Sequence, residues 1–156
     1  MDDETQLKTD TWELLIPDFF PRSLNRTQDK HWSYRHRSKG AVMETLFSHC
    51  HQAGGVPVFE GFVWVQITRL WGKGQRKLDK VNLYGSVKQL EDCLRARKQL
   101  VSKKTGKVRW QGGLGIIRDD DPDHCHLTVD QRKNDIEAYK GRECTMITIK
   151  GKLSNG

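Results

Sequence analysis

The sequence is poor in the features that staple, span or repeat. Only four cysteines occur in 156 residues, Cys50, Cys93, Cys125 and Cys144, and no two of them stand in a C-x-x-C spacing. A chain of this length buries a core without disulfides, so reduced and mostly buried thiols are expected. No stretch approaches the roughly 18 consecutive apolar residues of a membrane span. The opening MDDETQ lacks the basic and apolar parts of a signal peptide. A soluble, intracellular protein is the expectation. Internal repeats and low-complexity segments are absent, which excludes solenoids and arrays. Two HCH triplets, at 49–51 and 124–126, invite a zinc reading. On a strand, however, His124 and His126 share a face while Cys125 points away, so neither triplet chelates one ion with all three side chains.

What the chain does have is positive charge, with a formal net value of +7. Nucleic acid or another anionic surface is therefore the first class of partner. The charge is segmental. Residues 1–20 are acidic, whereas residues 22–39 and 69–109 carry most of the excess lysine and arginine.

The element pattern suits one domain. WELLIP reads as a first strand stopped by Pro17, followed by a polar loop that contains aromatics. Helical spacing of Val42, Met43, Leu46 and Phe47 predicts a helix from Ser38 to about Ala53, ended by Gly54 and Gly55. FEGFVWVQITRLW reads as a long strand and WGKGQRK as a basic glycine loop. Val87, Leu90, Leu94 and Val101 form an apolar stripe, with Lys88, Asp92, Arg95 and Gln99 on another face, which predicts a second helix. Its start is open between a cap at Ser86 and an earlier one at Asn82, with the earlier preferred. LVSKKTGKVRWQGG predicts a basic hairpin turning at Thr105 and Gly106, and HCHLTVDQ and TMITIKGKL predict two closing strands. The expected fold is α/β of the α+β kind: a small mixed sheet with two helices packed on it. Its expected bounds are 11–150, between a frayed acidic segment 1–10 and a tail 151–156, with a basic insertion at 102–113.

Three acidic features stand within this basic chain: Asp79 with Asn82, Lys88 with Asp92, and the run RDDDPD at 118–123. Phosphodiester hydrolysis by a hard divalent ion uses carboxylates from separate elements, and a nearby lysine stabilises charge on the phosphate. Each feature also has a plainer reading. Lys88 and Asp92 form an exposed helical pair worth roughly 0.3–0.5 kcal/mol, and DDDPD makes a solvated turn.

Together, LIPDFFPRSLNRTQDKHW, RKLDKVNLYGSVKQLEDCL, GLGIIRDDDPD and TMITIKG resemble the RusA-type Holliday junction resolvases, particularly their phage-like relatives. The resemblance runs from about Trp12 to Ile149. It implies a homodimeric, magnesium-dependent endonuclease (manganese is an alternative ion) that resolves four-way DNA junctions by paired nicks. The expected setting is the cytoplasm of a bacterial or phage-infected cell, in recombination and repair. By residue, it implies Asp79 as the first motif aspartate, Asn82 as the motif asparagine, Lys88 as the catalytic lysine and Asp92 as the helix aspartate. Asp120 matches the last acidic ligand, with Asp119 and Asp121 as register alternatives; the implied metal set is Asp79, Asp120 and Asp119.

Members commonly carry a second aspartate two residues after the first, where this chain has Val81. Valine neither binds magnesium nor accepts a proton, so a weak or inactive junction-binding module of the same fold is the alternative. A small basic RNA- or protein-binding factor is a third reading. Expected phosphate contacts are Arg22, Asn25, Arg26, Arg35, Arg37 and Lys39, then Lys73, Arg76 and Lys77 from the glycine loop. Trp32 serves either to anchor the loop or to stack on a base, and the 102–113 insertion either extends the DNA contact or decorates an edge.

Overall fold

The computed structural model describes residues 9–22, 32–96, 98–119 and 121–154. In chain order the elements are β1 (Asp10–Pro17), α1 (Trp32–Gln52), β2 (Phe59–Trp71), α2 (Lys80–Leu94), β3 (Lys98–Val101), β4 (Val108–Gln111), β5 (Cys125–Lys133) and β6 (Cys144–Leu153). Four strands form a mixed sheet in the order β1-β6-β2-β5, with β2 and β5 parallel and the other pairs antiparallel. β3 and β4 form a separate antiparallel hairpin. This is the mixed sheet with two helices that the element pattern predicts, and the hairpin lies where its turn residues place it.

Strand alternation builds the core. Val63, Val65 and Ile67 of β2, Ile147 and Ile149 of β6, and Leu14 and Ile16 of β1 are buried in one cluster with Val42, Leu46 and Cys50 of α1 and Val87, Leu90, Cys93 and Leu94 of α2. Residues two apart on a strand share a face, so both helices pack on the same side of the sheet. The opposite side carries Trp64, half exposed and edge-on to Phe62 with ring centroids 5.0 Å apart.

Several boundaries differ from the sequence reading, and among them α2 stops at Leu94, so Gln99 and Val101, expected on its faces, lie in β3 instead. α1 starts at Trp32, not Ser38. Its first nine residues, WSYRHRSKG, lack a helical apolar spacing, which conceals the start until Val42. Arg35, Arg37 and Lys39 therefore lie on a helix instead of a loop. α2 starts at Lys80 and is capped by Asp79, one turn before Asn82. β6 ends at Leu153, as the predicted strand TMITIKGKL does, but its Gly151 pairs with Asp10 of β1, so both expected domain edges fall inside the sheet.

The crossover from β2 through α2 to β5 sets the direction of α2. At its start, the Leu78 backbone exchanges two hydrogen bonds with the Gln131 side chain near the end of β5 (3.0 and 2.7 Å). At its finish, Ile117 N donates to Leu94 O (3.0 Å), and Phe59 N at the start of β2 donates to Ile116 O (2.9 Å). Segment 113–117 is thus fastened to the C-terminal end of α2 at the start of β2, and the N-terminus of α2 lies at the far end of both parallel strands.

Among the described residues, no helix is long and apolar enough to cross a membrane. All four cysteines are buried free thiols, and burial pushes the Cys50 and Cys93 thiols up to about 11. His124 leaves its triplet to bind Asp121 through Nδ1 (2.7 Å), and His49 Nδ1 lies 2.9 Å from Thr45 O.

Candidate functional site

Asp79 takes its place because aspartate is a strong N-cap. With extended backbone (φ −65°, ψ 160°), its Oδ1 accepts from Asn82 N (2.9 Å), while Oδ2 accepts from Asn82 Nδ2 (2.7 Å). Asn82 therefore holds the carboxylate from both sides. Replacing Asp79 by alanine is expected to cost about 1 kcal/mol of stability, whereas asparagine, an equally good cap, keeps most of it; urea unfolding of the two variants separates cap from charge.

An open groove of about 670 Å³ runs beside this cap, lined among others by Lys77, Asp79, Lys80, Tyr84, Asp130 and Gln131. Asp130 was not among the sequence candidates. Its signal was the strand alternation of HCHLTVDQ, but only the parallel pairing of β5 with β2 brings it to the start of α2. Lys80 Nζ lies 5.9 Å from the Tyr84 ring centroid.

Next to this groove the chain gathers cations. Lys73, Arg76 and Lys77 are exposed in the loop after β2. Lys73 also lines a cleft of about 390 Å³ with Lys133 and Lys140. Buried Arg69 secures the loop: Nη1 donates to Arg76 O (2.9 Å), Nε and Nη2 reach Glu143 Oε2 (2.9 and 2.8 Å), and the guanidinium sits 5.5 Å from the Phe20 ring centroid. On the outer side of the same end, Arg142 donates to Asp18 Oδ1 (2.8 Å) and holds that carboxyl below its usual range.

The second charged group lies on the other half of α2. Lys88 Nζ is 3.0 Å from Glu91 Oε1 and 3.4 Å from Asp92 Oδ1, and Arg95 Nη2 is 3.6 Å from the same Asp92 oxygen. Glu91 is 7% exposed and so gives Lys88 a buried partner that the sequence reading passed over. The bridge between Arg95 and Ile117 carries Arg118 and Asp119 to this end as well.

The two groups are far apart. At 1.5 Å rise per residue, Asp79 and Asp92 are separated by about 19 Å along α2, and Asp79 and Lys88 by about 13 Å. The parallel strand agrees: from Cys125, close to Asp121, to Gln131, beside Leu78, β5 advances about 20 Å. Oxygen ligands near 2.1 Å cannot bridge such a gap. Among the described residues, no three His, Cys, Asp or Glu side chains converge as a metal site. Asp79, Asp92 and Asp119 of one chain therefore do not fit one magnesium ion. Asp120, Asn25 and Arg26 lie outside the described residues. Arg22 is exposed, and its carbonyl oxygen accepts from the buried Gln89 amide of α2.

No protein-family model, no curated protein and no solved structure matches the chain.

Proposed function

We propose that the protein is a structure-selective endodeoxyribonuclease acting on branched, four-way DNA with a divalent cation, as a homodimer. One observation carries the reading: α2 bears Asp79 at its cap, next to Lys77 of the basic loop, and Lys88 with Asp92 about 13–19 Å further along the helix. A protein that only binds the DNA backbone gains nothing from carboxylates amid its phosphate contacts, because they repel phosphate. The lysines and arginines hold flanking phosphates in a manner that weakens steeply with salt. Lys88, oriented by Glu91 and Asp92, is the cation for charge developing on the scissile phosphate. Asn82 orients Asp79.

The roughly 19 Å between Asp79 and Asp92, together with Val81, favours a second reading: a junction-binding module without turnover. The test is a synthetic four-way junction and a matched linear duplex, each with magnesium or chelator. Paired nicks on the junction that need magnesium, and that fall at least about 100-fold in Asp79→Asn, support the nuclease. Tight junction binding without nicks identifies the module. Equal affinity for junction and duplex would discard both readings.

A further inference from the structure

Beyond the Asp79 groove, the same end of the sheet holds the cleft of about 390 Å³ that three lysines line from three separate segments. Lys73 comes from the loop after β2, Lys133 from the end of β5, and Lys140 from the turn before β6. Among the described residues, no aspartate or glutamate lines this cleft, and no ion pair engages any of the three ammonium groups. The arginines nearby differ: Arg69 is paired with Glu143 and Arg142 with Asp18. Asp135 and Glu137 stand exposed on the connection between Lys133 and Lys140, outside the lining.

Backbone contacts fix the cleft. Asn134, 3% exposed, ties its walls together: its backbone N donates to Trp71 O (2.9 Å), and its Nδ2 donates to Tyr139 O and Arg142 O (2.9 and 2.8 Å). Lys73 N donates to Gly141 O (2.9 Å). A Cβ on Gly72 would stand 2.6 Å from that same oxygen, so the two turns meet backbone to backbone. Gln75 closes the loop, its Oε1 accepting from Gly72 N (2.7 Å). Like charges gathered on a fixed concave wall repel one another, and an anion set between them turns repulsion into attraction. A cleft lined by one sign of charge also focuses its field on such an anion, and lysine serves phosphate as a point charge.

Position selects the bearer of the phosphate. Lys133 lies two residues beyond Gln131, about 7 Å along β5 and on the same face, and Gln131 lines the Asp79 groove. At about 3.4 Å per nucleotide of a duplex strand, that is about two nucleotides. We propose that Lys73, Lys133 and Lys140 form a single phosphate-binding subsite, which takes one backbone phosphate of a DNA strand that crosses the Asp79 groove. The inference rests on the nuclease reading for DNA as the bearer of that phosphate. It does not rest on that reading for the binding of phosphate itself.

The experiment has two arms, both on the full chain. The first reads the salt dependence of duplex binding by fluorescence anisotropy, where each phosphate contact contributes about 0.9 to the slope of log K against log salt. Because the lysines share one phosphate, Lys133→Ala and Lys140→Ala together are expected to lower the slope by about 1 and no more. A loss of about 2 in the double variant means separate contacts and overturns the single subsite. The control of equal charge is Lys150→Ala with Lys152→Ala, two exposed lysines at the other end of the sheet. A control that lowers the slope as far as the cleft variant also overturns the subsite. Circular dichroism confirms that both double variants stay folded.

In the second arm, inorganic phosphate is compared with chloride at equal ionic strength, read at the Gly74 and Gly141 amides by nuclear magnetic resonance. Millimolar phosphate is expected to shift both amides in the native chain and neither in the cleft variant. Equal shifts with chloride overturn the subsite. Phosphate-specific shifts joined to an unchanged DNA slope overturn the strand as bearer and support free phosphate. Both expected results in a protein that never nicks a junction would support the subsite and overturn the nuclease reading.

Discussion

Gly113→Ala is expected to destabilise the fold by about 3 kcal/mol or more, read as a lower urea midpoint with unchanged slope. A Cβ at this position would stand 1.9 Å from Cys93 O and 2.2 Å from Cys93 C. Both are main-chain atoms at the end of α2, so no side chain can rotate to make room. Nor can the segment move away cheaply, since Gly113 N donates to Arg95 O and Leu114 N donates to Cys93 O (3.0 and 2.8 Å). The same contacts hold residues 113–117 against the end of α2 and so position Arg118 and Asp119. If the nuclease reading holds, the variant loses junction nicking along with stability, and lowering the temperature to refold it restores the first only as far as the second. A variant as stable as the native chain would mean that the segment does not lie against α2.

Glu143→Ala is expected to cost about 3 kcal/mol, within the range for removing one partner of a buried ion pair. Arg69 is 4% exposed and Glu143 is its carboxylate, so the truncation leaves a buried guanidinium that, among the described residues, donates to the Arg76 carbonyl without a carboxylate partner. The partial exposure of Glu143 puts the expectation at the lower end of that range. Glu143→Gln keeps an acceptor and is expected to lose less. If the nuclease reading holds, Glu143→Ala also weakens DNA binding at low salt, measured by fluorescence anisotropy, because Arg69 fastens the loop that presents Lys73, Arg76 and Lys77. Loss of stability with DNA affinity unchanged would detach this loop from the DNA contact.

Much of the fold was legible because alternation and helical spacing are local. VWVQI places Val63, Val65 and Ile67 on one face whatever the strand's neighbours, and TMITI does the same for Ile147 and Ile149. The turn at Thr105 and Gly106 announces its hairpin, and there Gly106 has φ of +66°, a conformation that glycine takes without strain. The start of α1 was hidden because a helix held by tertiary packing does not need amphipathic first turns. The cap of α2 was misplaced for a related reason: Asp79, Asn82 and Ser86 are all capable caps, and the choice fell to Asp79 where Leu78 meets Gln131 across 53 residues. Glu91 drew no notice in the sequence, yet it is buried and paired with Lys88.

By itself, then, the amino-acid order determined the strands, the apolar faces, the basic loop and the residue types available for chemistry. These follow from short-range periodicity and from side chains that carry their charge wherever they go. Only the tertiary structure decided which of those residues meet. The resemblance implied Asp79, Lys88, Asp92 and an Asp119 or Asp120 ligand as one constellation. A straight helix of 15 residues instead keeps its cap about 20 Å from its last turn, because backbone hydrogen bonding fixes the rise per residue regardless of what the side chains could do together. Nearness along a helix is set by that rise, and nearness across the sheet by the parallel pairing of β2 with β5, which no local pattern encodes.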